Sequence, residues 1–271
     1  MSTRKLFARK PAGQKQRRGS GDWERGVNRQ QRRLVRVFDA WAAALKADMT
    51  SRSRRGATIP ELQGVLDDAI PRLESRLAEV LTSGVEKAVR SSAGSRSGLT
   101  AVKGTQDKLI RENLQLLRES LIPKVHEKFT LALATALPLG LIGGLAVDQQ
   151  KAVALAIKNA SVATRAAPAQ YAGGYWVAVF ETQKTVGGVR ENERAAQGLP
   201  VEPVRWVLDS LAEHCLPSPG FYGCVELAGE YPGGWSTLPT VPAGQTTCRG
   251  NDRCRIEVFR NGEWRRGVYD D

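Results

Sequence analysis

Residues 204–259 read VRWVLDSLAEHCLPSPGFYGCVELAGEYPGGWSTLPTVPAGQTTCRGNDRCRIEVF, and this stretch decides how the chain is built. It holds all four cysteines, Cys215, Cys224, Cys248 and Cys254, separated by connectors rich in Pro and Gly. Residues 204–208 have the β-branched and aromatic content of a strand. Beyond them, Asn261-Gly262 is the preferred two-residue type I′ turn, which predicts a terminal hairpin with Ile256, Val258 and Trp264 as its apolar partners. So little apolar material among so many turns gives a thin core, and a unit of this kind usually needs a staple.

Four thiolates make a tetrahedral zinc set, and His214 offers a spare nitrogen. The spacing is wide for a metal knuckle, with eight residues between Cys215 and Cys224 and five between Cys248 and Cys254. Three states are therefore open: one zinc held by Cys215, Cys224, Cys248 and Cys254, buried thiols, or disulfides formed after release from a cell. Residues 1–22 are basic, with no apolar stretch of a secretory signal, so synthesis in a reducing cytoplasm is expected. No catalytic machinery is expected. His214 and Cys215, adjacent on an extended segment, would point to opposite faces, and His126 is read as structural. The chain has neither a Gly-rich phosphate loop nor an HExxH motif.

Upstream the pattern is helical. Leu34, Phe38, Trp41 and Leu45 form one apolar stripe, predicting a helix over 23–46 that SRSRRG at 51–56 breaks. Thr58 and Glu61 have capping-box spacing, and a second helix runs to about residue 90, kinked at Pro71. Residues 91–98 read as a flexible connector. A third helix covers 105–120, with Leu109, Ile110, Leu114 and Leu117 inward. Phe129–Val147 is 19 residues without a charge. Its length suits a transmembrane span, but Pro138 and three glycines favour a buried helix and turn. A fourth helix covers 148–165, apolar at Ala152, Leu155, Ala156 and Val162, and 175–180 reads as helix or strand. The fold class is α+β: a mostly helical N-terminal two-thirds and a small cysteine-containing, hairpin-rich C-terminal domain.

The net charge is +12, and its position matters more than its size. Residues 1–55 carry 16 Lys and Arg against 4 Asp and Glu, whereas the other 216 residues carry 24 of each sign. Such a neutral body is not a nucleic-acid surface by net charge, but a basic arm is. Arg4, Lys5, Arg9, Lys10, Lys15, Arg17, Arg18, Arg29, Arg32, Arg33 and Arg36 are its candidate phosphate contacts. Residues 1–22 have almost nothing to bury and are expected to be disordered when free.

The run VRWVLDS, a cysteine pair, LAGEY, LPTVP and a closing cysteine pair ending in RCRIEV resembles the head morphogenesis family of tailed phages, the Mu F type. FETQKTVGGVREN at 180–192, followed by PVRW at 203–206, resembles that family's Arg-Thr-Glu helix and its exit into a strand. The first cysteine pair is more widely spaced than in the family, and Ile256 stands where the family closes on a further cysteine. The likeness covers about residues 148–258. With the charge and periodicity upstream, it gives three parts: a basic arm over 1–22, a helical region over 23–125 and, by the resemblance, a head-morphogenesis domain over 126–271, cysteine-rich at 204–258. It also implies a minor head protein in the virion head, bound to the portal protein and acting in procapsid assembly, packaging or ejection. Packaged double-stranded DNA and capsid or scaffolding protein are its expected partners, and a membrane only during ejection. The rival expectation is a zinc-stabilised nucleic-acid-binding regulator. A C-terminal toxin is not expected, because only about a dozen residues follow the cysteine region.

Overall fold

The apolar stripes become buried faces in the computed structural model, which describes residues 22–94, 96–136, 147–208, 215–242, 246–247 and 254–266. Leu34, Phe38, Trp41 and Leu45 all face inward along α1 (Asp22–Arg54). This helix is longer than expected. Met49 and Ser53 are fully buried, so packing carries it through the basic SRSRR segment. Arg52 and Arg54 suit the negative end of the helix dipole. It stops where Gly56 turns left-handed, at φ 85°.

Next comes α2 (Ile59–Ser92), opened as expected by Thr58 and Glu61. The Glu61 carboxylate accepts the Thr58 backbone N–H at 2.6 Å and the Thr58 hydroxyl at 2.9 Å. These bonds, the backbone one foremost, hold that carboxyl below its ordinary value. The helix runs unbroken through Pro71, with Leu62, Val65, Leu66, Ala69, Leu73, Leu77, Val80 and Leu81 all buried. Trp41 ties it to α1, donating its indole N–H to the Ala69 carbonyl at 2.9 Å.

The segment read as a connector is largely helical, ending α2 at Ser92 and starting α3 (Arg96–Ala101). The third helix also outruns its expected end. It comprises α4 (Lys103–Leu116), one wide π turn at Leu117–Leu121, and α5 (Ile122–Ala136). Pro123 explains the wide turn. Proline has no N–H to offer the preceding turn and its ring crowds the carbonyl there, so an extra residue in the loop relieves the clash without ending the helix. Arg118 in the π turn reaches Glu74 of α2 at 2.8 Å, and His126 reaches Asp67 at 2.8 Å.

The fourth helix, α6 (Val147–Thr164), has its expected extent but a different inward face. Val153, Ile157, Ala160 and Thr164 are buried, while Leu155 and Val162 point to solvent at 56% and 68% exposure. Both sets recur at helical spacing, and periodicity alone could not choose between them. The short α7 (Ala167–Gln170) leads to α8 (Gly173–Ala196), which settles residues 175–180 as helix. No helix among the described residues is long and apolar enough to cross a membrane. Residues 137–146, most of the uncharged stretch, lie outside the described set.

The C-terminal part is a four-stranded antiparallel sheet in the order β2-β1-β3-β4, from β1 (Val204–Val207), β2 (Gly229–Tyr231), β3 (Arg255–Arg260) and β4 (Glu263–Arg266). The β3–β4 connection is the expected Asn261-Gly262 turn, with φ 51° and 82°. Val204, Trp206, Ile256 and Val258 share its buried face. Trp264 does not join Ile256 and Val258 as expected. It pairs across the hairpin with Phe259, on the opposite face, with ring centroids 5.2 Å apart. The fold is α+β as the sequence indicated, but the expected boundary at 125/126 falls inside α5.

Two buried clusters organise the whole. One joins α1, the first part of α2, α5 and α6; the other joins the end of α2, α8 and the sheet. Several glycines sit where helices meet. A Cβ on Gly84 would collide with Gln30, whose buried amide donates to the Val80 carbonyl at 2.6 Å, whereas a Cβ on Gly64 of the same helix would meet nothing. Replacing a helix-interior glycine with alanine removes backbone freedom from the unfolded chain. Thermal melts of two variants should therefore diverge. Gly64→Ala should gain about 0.5–1 kcal/mol, and Gly84→Ala should lose about 1–3 kcal/mol by overpacking. Two variants that move together would refute the close-approach reading.

Candidate functional site

The cysteine-bearing unit is fastened to α8 along one face. Lys184, Gly187 and Glu191 are three and four residues apart, so they line up on that helix. Each meets the segment around the 3-10 turn Trp235–Thr237. Lys184 Nζ donates to the Leu238 carbonyl at 2.8 Å. The Trp235 ring lies over Gly187, where a Cβ would collide with it. Buried Glu191 accepts the backbone N–H of Trp235 and that of Ser236, the latter at 3.2 Å. Bonds from backbone N–H to a charged acceptor contribute about 1.5–3 kcal/mol each. Residues 180–192 stand out in the sequence only by their resemblance, not for this task. Nothing in the sequence marks Glu191, which stands among Arg190, Glu193 and Arg194, as a buried carboxylate.

Of the four expected zinc ligands, two are brought together. Cys224 begins the short α9 (Cys224–Leu227), and its sulfur stands 3.3 Å from that of Cys215. The Cys224 backbone N–H also donates to the Cys215 carbonyl at 3.1 Å. Cys224 is 1% exposed, while Cys215 is partly open to solvent. Cys254 is buried in the same cluster, just before β3. Cys248 and His214 lie outside the described residues. Among the described residues no three Cys, His, Asp or Glu side chains stand close enough to hold a metal ion.

On the outer face of the sheet, Glu257 is nearly buried between two arginines. Arg205 donates to it at 2.7 and 2.9 Å, and Arg255 at 2.7 Å. The Arg205 guanidinium also lies 4.3 Å from the Trp264 ring centre, a cation–π contact. This layer covers the sheet with polar and aromatic groups.

The expected nucleic-acid contacts divide. Arg4, Lys5, Arg9, Lys10, Lys15, Arg17 and Arg18 lie outside the described residues. Arg29, Arg32 and Arg36 are exposed on α1 and, with Arg25, repeat at intervals of four, three and four. They therefore form one cationic face about 16 Å long, at 1.5 Å per residue. Arg33 is turned away, half-buried and bonded to the Ser83 hydroxyl at 3.3 Å. Away from this face, Leu131 is exposed on α5, and Leu155 and Val162, seven residues apart, are exposed on α6. No protein-family model, curated protein or solved structure matches the chain, so these sites rest on their geometry and chemistry.

Burial pushes the Glu257 carboxyl up, but hydrogen bonds from Arg255 and Arg205 and their charges outweigh it and leave the group below its ordinary value. A depressed carboxylate contributes stability that is complete above the unfolded-state value of about 4.3 and is lost as pH falls through the folded value. Glu257→Gln should therefore be less stable than the wild type near neutral pH, and the gap should close below about pH 4. Melting curves across that range that stay parallel would remove Glu257 from the acid response.

Proposed function

We propose that this protein is a minor head protein of a tailed phage or prophage, held at the portal and acting in procapsid assembly, DNA packaging or genome ejection. The observation that carries the reading is a divided surface. The cationic face of α1 follows the basic arm in the sequence, while the rest of the chain is neutral and exposes Leu131, Leu155 and Val162 on other helices. A protein that bridges packaged double-stranded DNA and a protein ring needs these two surfaces apart. Phosphate contacts serve the first and burial of Leu131, Leu155 and Val162 the second, on the portal or on capsid or scaffolding protein. The likeness of residues 180–192 and 204–258 to head morphogenesis proteins gives the same direction. The role is structural, without catalysis, in the head interior, and a membrane enters only at ejection.

Zinc is the proposed staple of the cysteine unit. Two thiolates on one tetrahedral zinc stand about 3.8 Å apart, given Zn–S bonds of about 2.3 Å. The Cys215–Cys224 separation of 3.3 Å needs only a small opening to match. Cys248 and Cys254 would complete the set, and the bound ion would cross-link loops that have little core of their own.

DNA binding should be independent of sequence and strongly dependent on salt. Each phosphate neutralised contributes about −0.9 to the slope of log K against log salt. Deleting residues 1–21 should remove most of that slope, and Arg29→Ala, Arg32→Ala and Arg36→Ala together should lower what is left, with the fold intact. Deletion should stop there, because Leu34 and Phe38 belong to the core. A slope unchanged by both alterations would end the DNA-contact reading.

Portal docking is tested by co-expression with the portal protein encoded beside it. The complex should survive deletion of residues 1–21 and moderate salt, since apolar burial is little screened. Leu155→Asp with Val162→Asp should disrupt it. A protein that binds DNA but neither co-purifies with the portal nor occurs in purified particles would be the nucleic-acid-binding regulator instead.

A further inference from the structure

We infer that Lys46, Arg54 and Arg55 form a second phosphate-contact cluster at the far end of α1, and that the whole helix holds a DNA duplex at two points one turn apart. The inference rests on the DNA-contact reading above. Arg25, Arg29, Arg32 and Arg36 occupy one line of the helix. Ala43, Ala47 and Arg54 continue that line at steps of seven, four and seven residues. Arg54 follows Arg36 by 18 residues, which is five whole turns of the helix. Lys46 stands beside the line, next to Ala47. Lys46, Arg54 and Arg55 are exposed and border a groove of about 610 Å³ whose floor includes Ala43, Ala47 and Thr50. Two acids lie between residues 25 and 55, and both are paired with arginine. Asp39 accepts two bonds of 2.8 Å from Arg165, and Asp48 accepts one of 3.1 Å from Arg52. Neither acid presents an unopposed negative charge to a phosphate.

Spacing identifies the kind of partner. The centres of the two clusters are about 21 residues apart, or about 32 Å along the helix. One turn of B-form DNA is about 34 Å. A straight rod laid along a duplex meets the same phosphate strand once per turn, so both clusters reach phosphates together. Between those points the rod spans the grooves, and there its outer face carries Ala40, Ala43 and Ala47, all exposed and too short to hold it away. The distance is fixed by packing. The opposite face of α1, from Leu34 through Met49 to Ser53, is buried, so the two clusters cannot slide relative to each other. A partner shorter than this spacing gains from one cluster at a time.

The test compares full-length wild type with Lys46→Ala plus Arg54→Ala, by titrating two labelled DNAs over a range of salt. One DNA is a duplex of about 24 bp, and the other a hairpin stem of about 6 bp, about 20 Å at 3.4 Å per step and too short to bridge the clusters. On the long duplex the variant should lose about 1.8 from the slope of log K against log salt, at about 0.9 per phosphate. On the short stem the two proteins should agree within about two-fold. Lys124→Ala with Lys128→Ala removes the same charge from exposed positions on α5 and should match wild type on both DNAs. An unchanged slope on the long duplex, an equal loss on the short stem, or an equal loss from the α5 variant would overturn the second cluster while leaving the arm's contact with DNA in place. A wild type without any salt slope would instead remove the DNA-contact reading, and this inference with it.

Discussion

The cysteine-bearing unit depends on how Trp235 meets α8. An indole ring lying over Gly187 fits only because that residue has no side chain. Glu191 then receives the backbone N–H groups that begin the 3-10 turn, including the buried one of Trp235, which needs a partner. The two effects reinforce each other. The ring fixes the distance between turn and helix, and the carboxylate fixes the orientation. Leu227, Leu238 and Val241 share a buried cluster with the same tryptophan, and so do Trp206 and Ile256 of the sheet. A unit with so many turns acquires a core by borrowing one side of a long helix.

The same device recurs in the helical part. Gly26 makes room for Tyr175, Gly84 for Gln30 and Gly174 for Asn113. Glycine inside a helix costs about 1 kcal/mol relative to alanine, so each of these is a poor local choice. Each is offset by letting a large side chain from another element approach the backbone. Local preference and tertiary packing disagree at these points, and packing wins.

That disagreement also marks what the sequence revealed. The buried stripes of α1 and α2, the Thr58–Glu61 cap and the Asn-Gly hairpin were legible, because each follows from residues close in the chain. The inward face of α6 was not, since Leu155 and Val153 offer equally good stripes and only the neighbouring helices choose. Nor was the continuation of the helix past Ser120, because the π turn that accommodates Pro123 leaves no pattern in composition. At the candidate site the cysteines and the arginines were visible as residue types. Which of them converge was not. Arg33 shares the repeat of its neighbours yet faces Ser83, and the clamp of Lys184, Gly187 and Glu191 needs Trp235, 44 residues beyond Glu191, to have any meaning.

The long α2 helix contributes Leu62 through Leu81 to one buried cluster and Val85 through Val89 to the other. Val27 of α1 touches both. The helical part and the cysteine unit therefore share a common beam. Loss of either cluster strips apolar cover from a helix that the other still requires, which couples them thermodynamically. The chain should come apart in one cooperative transition, and the backbone amides at the middle of α2 should be among the last to exchange with solvent deuterium.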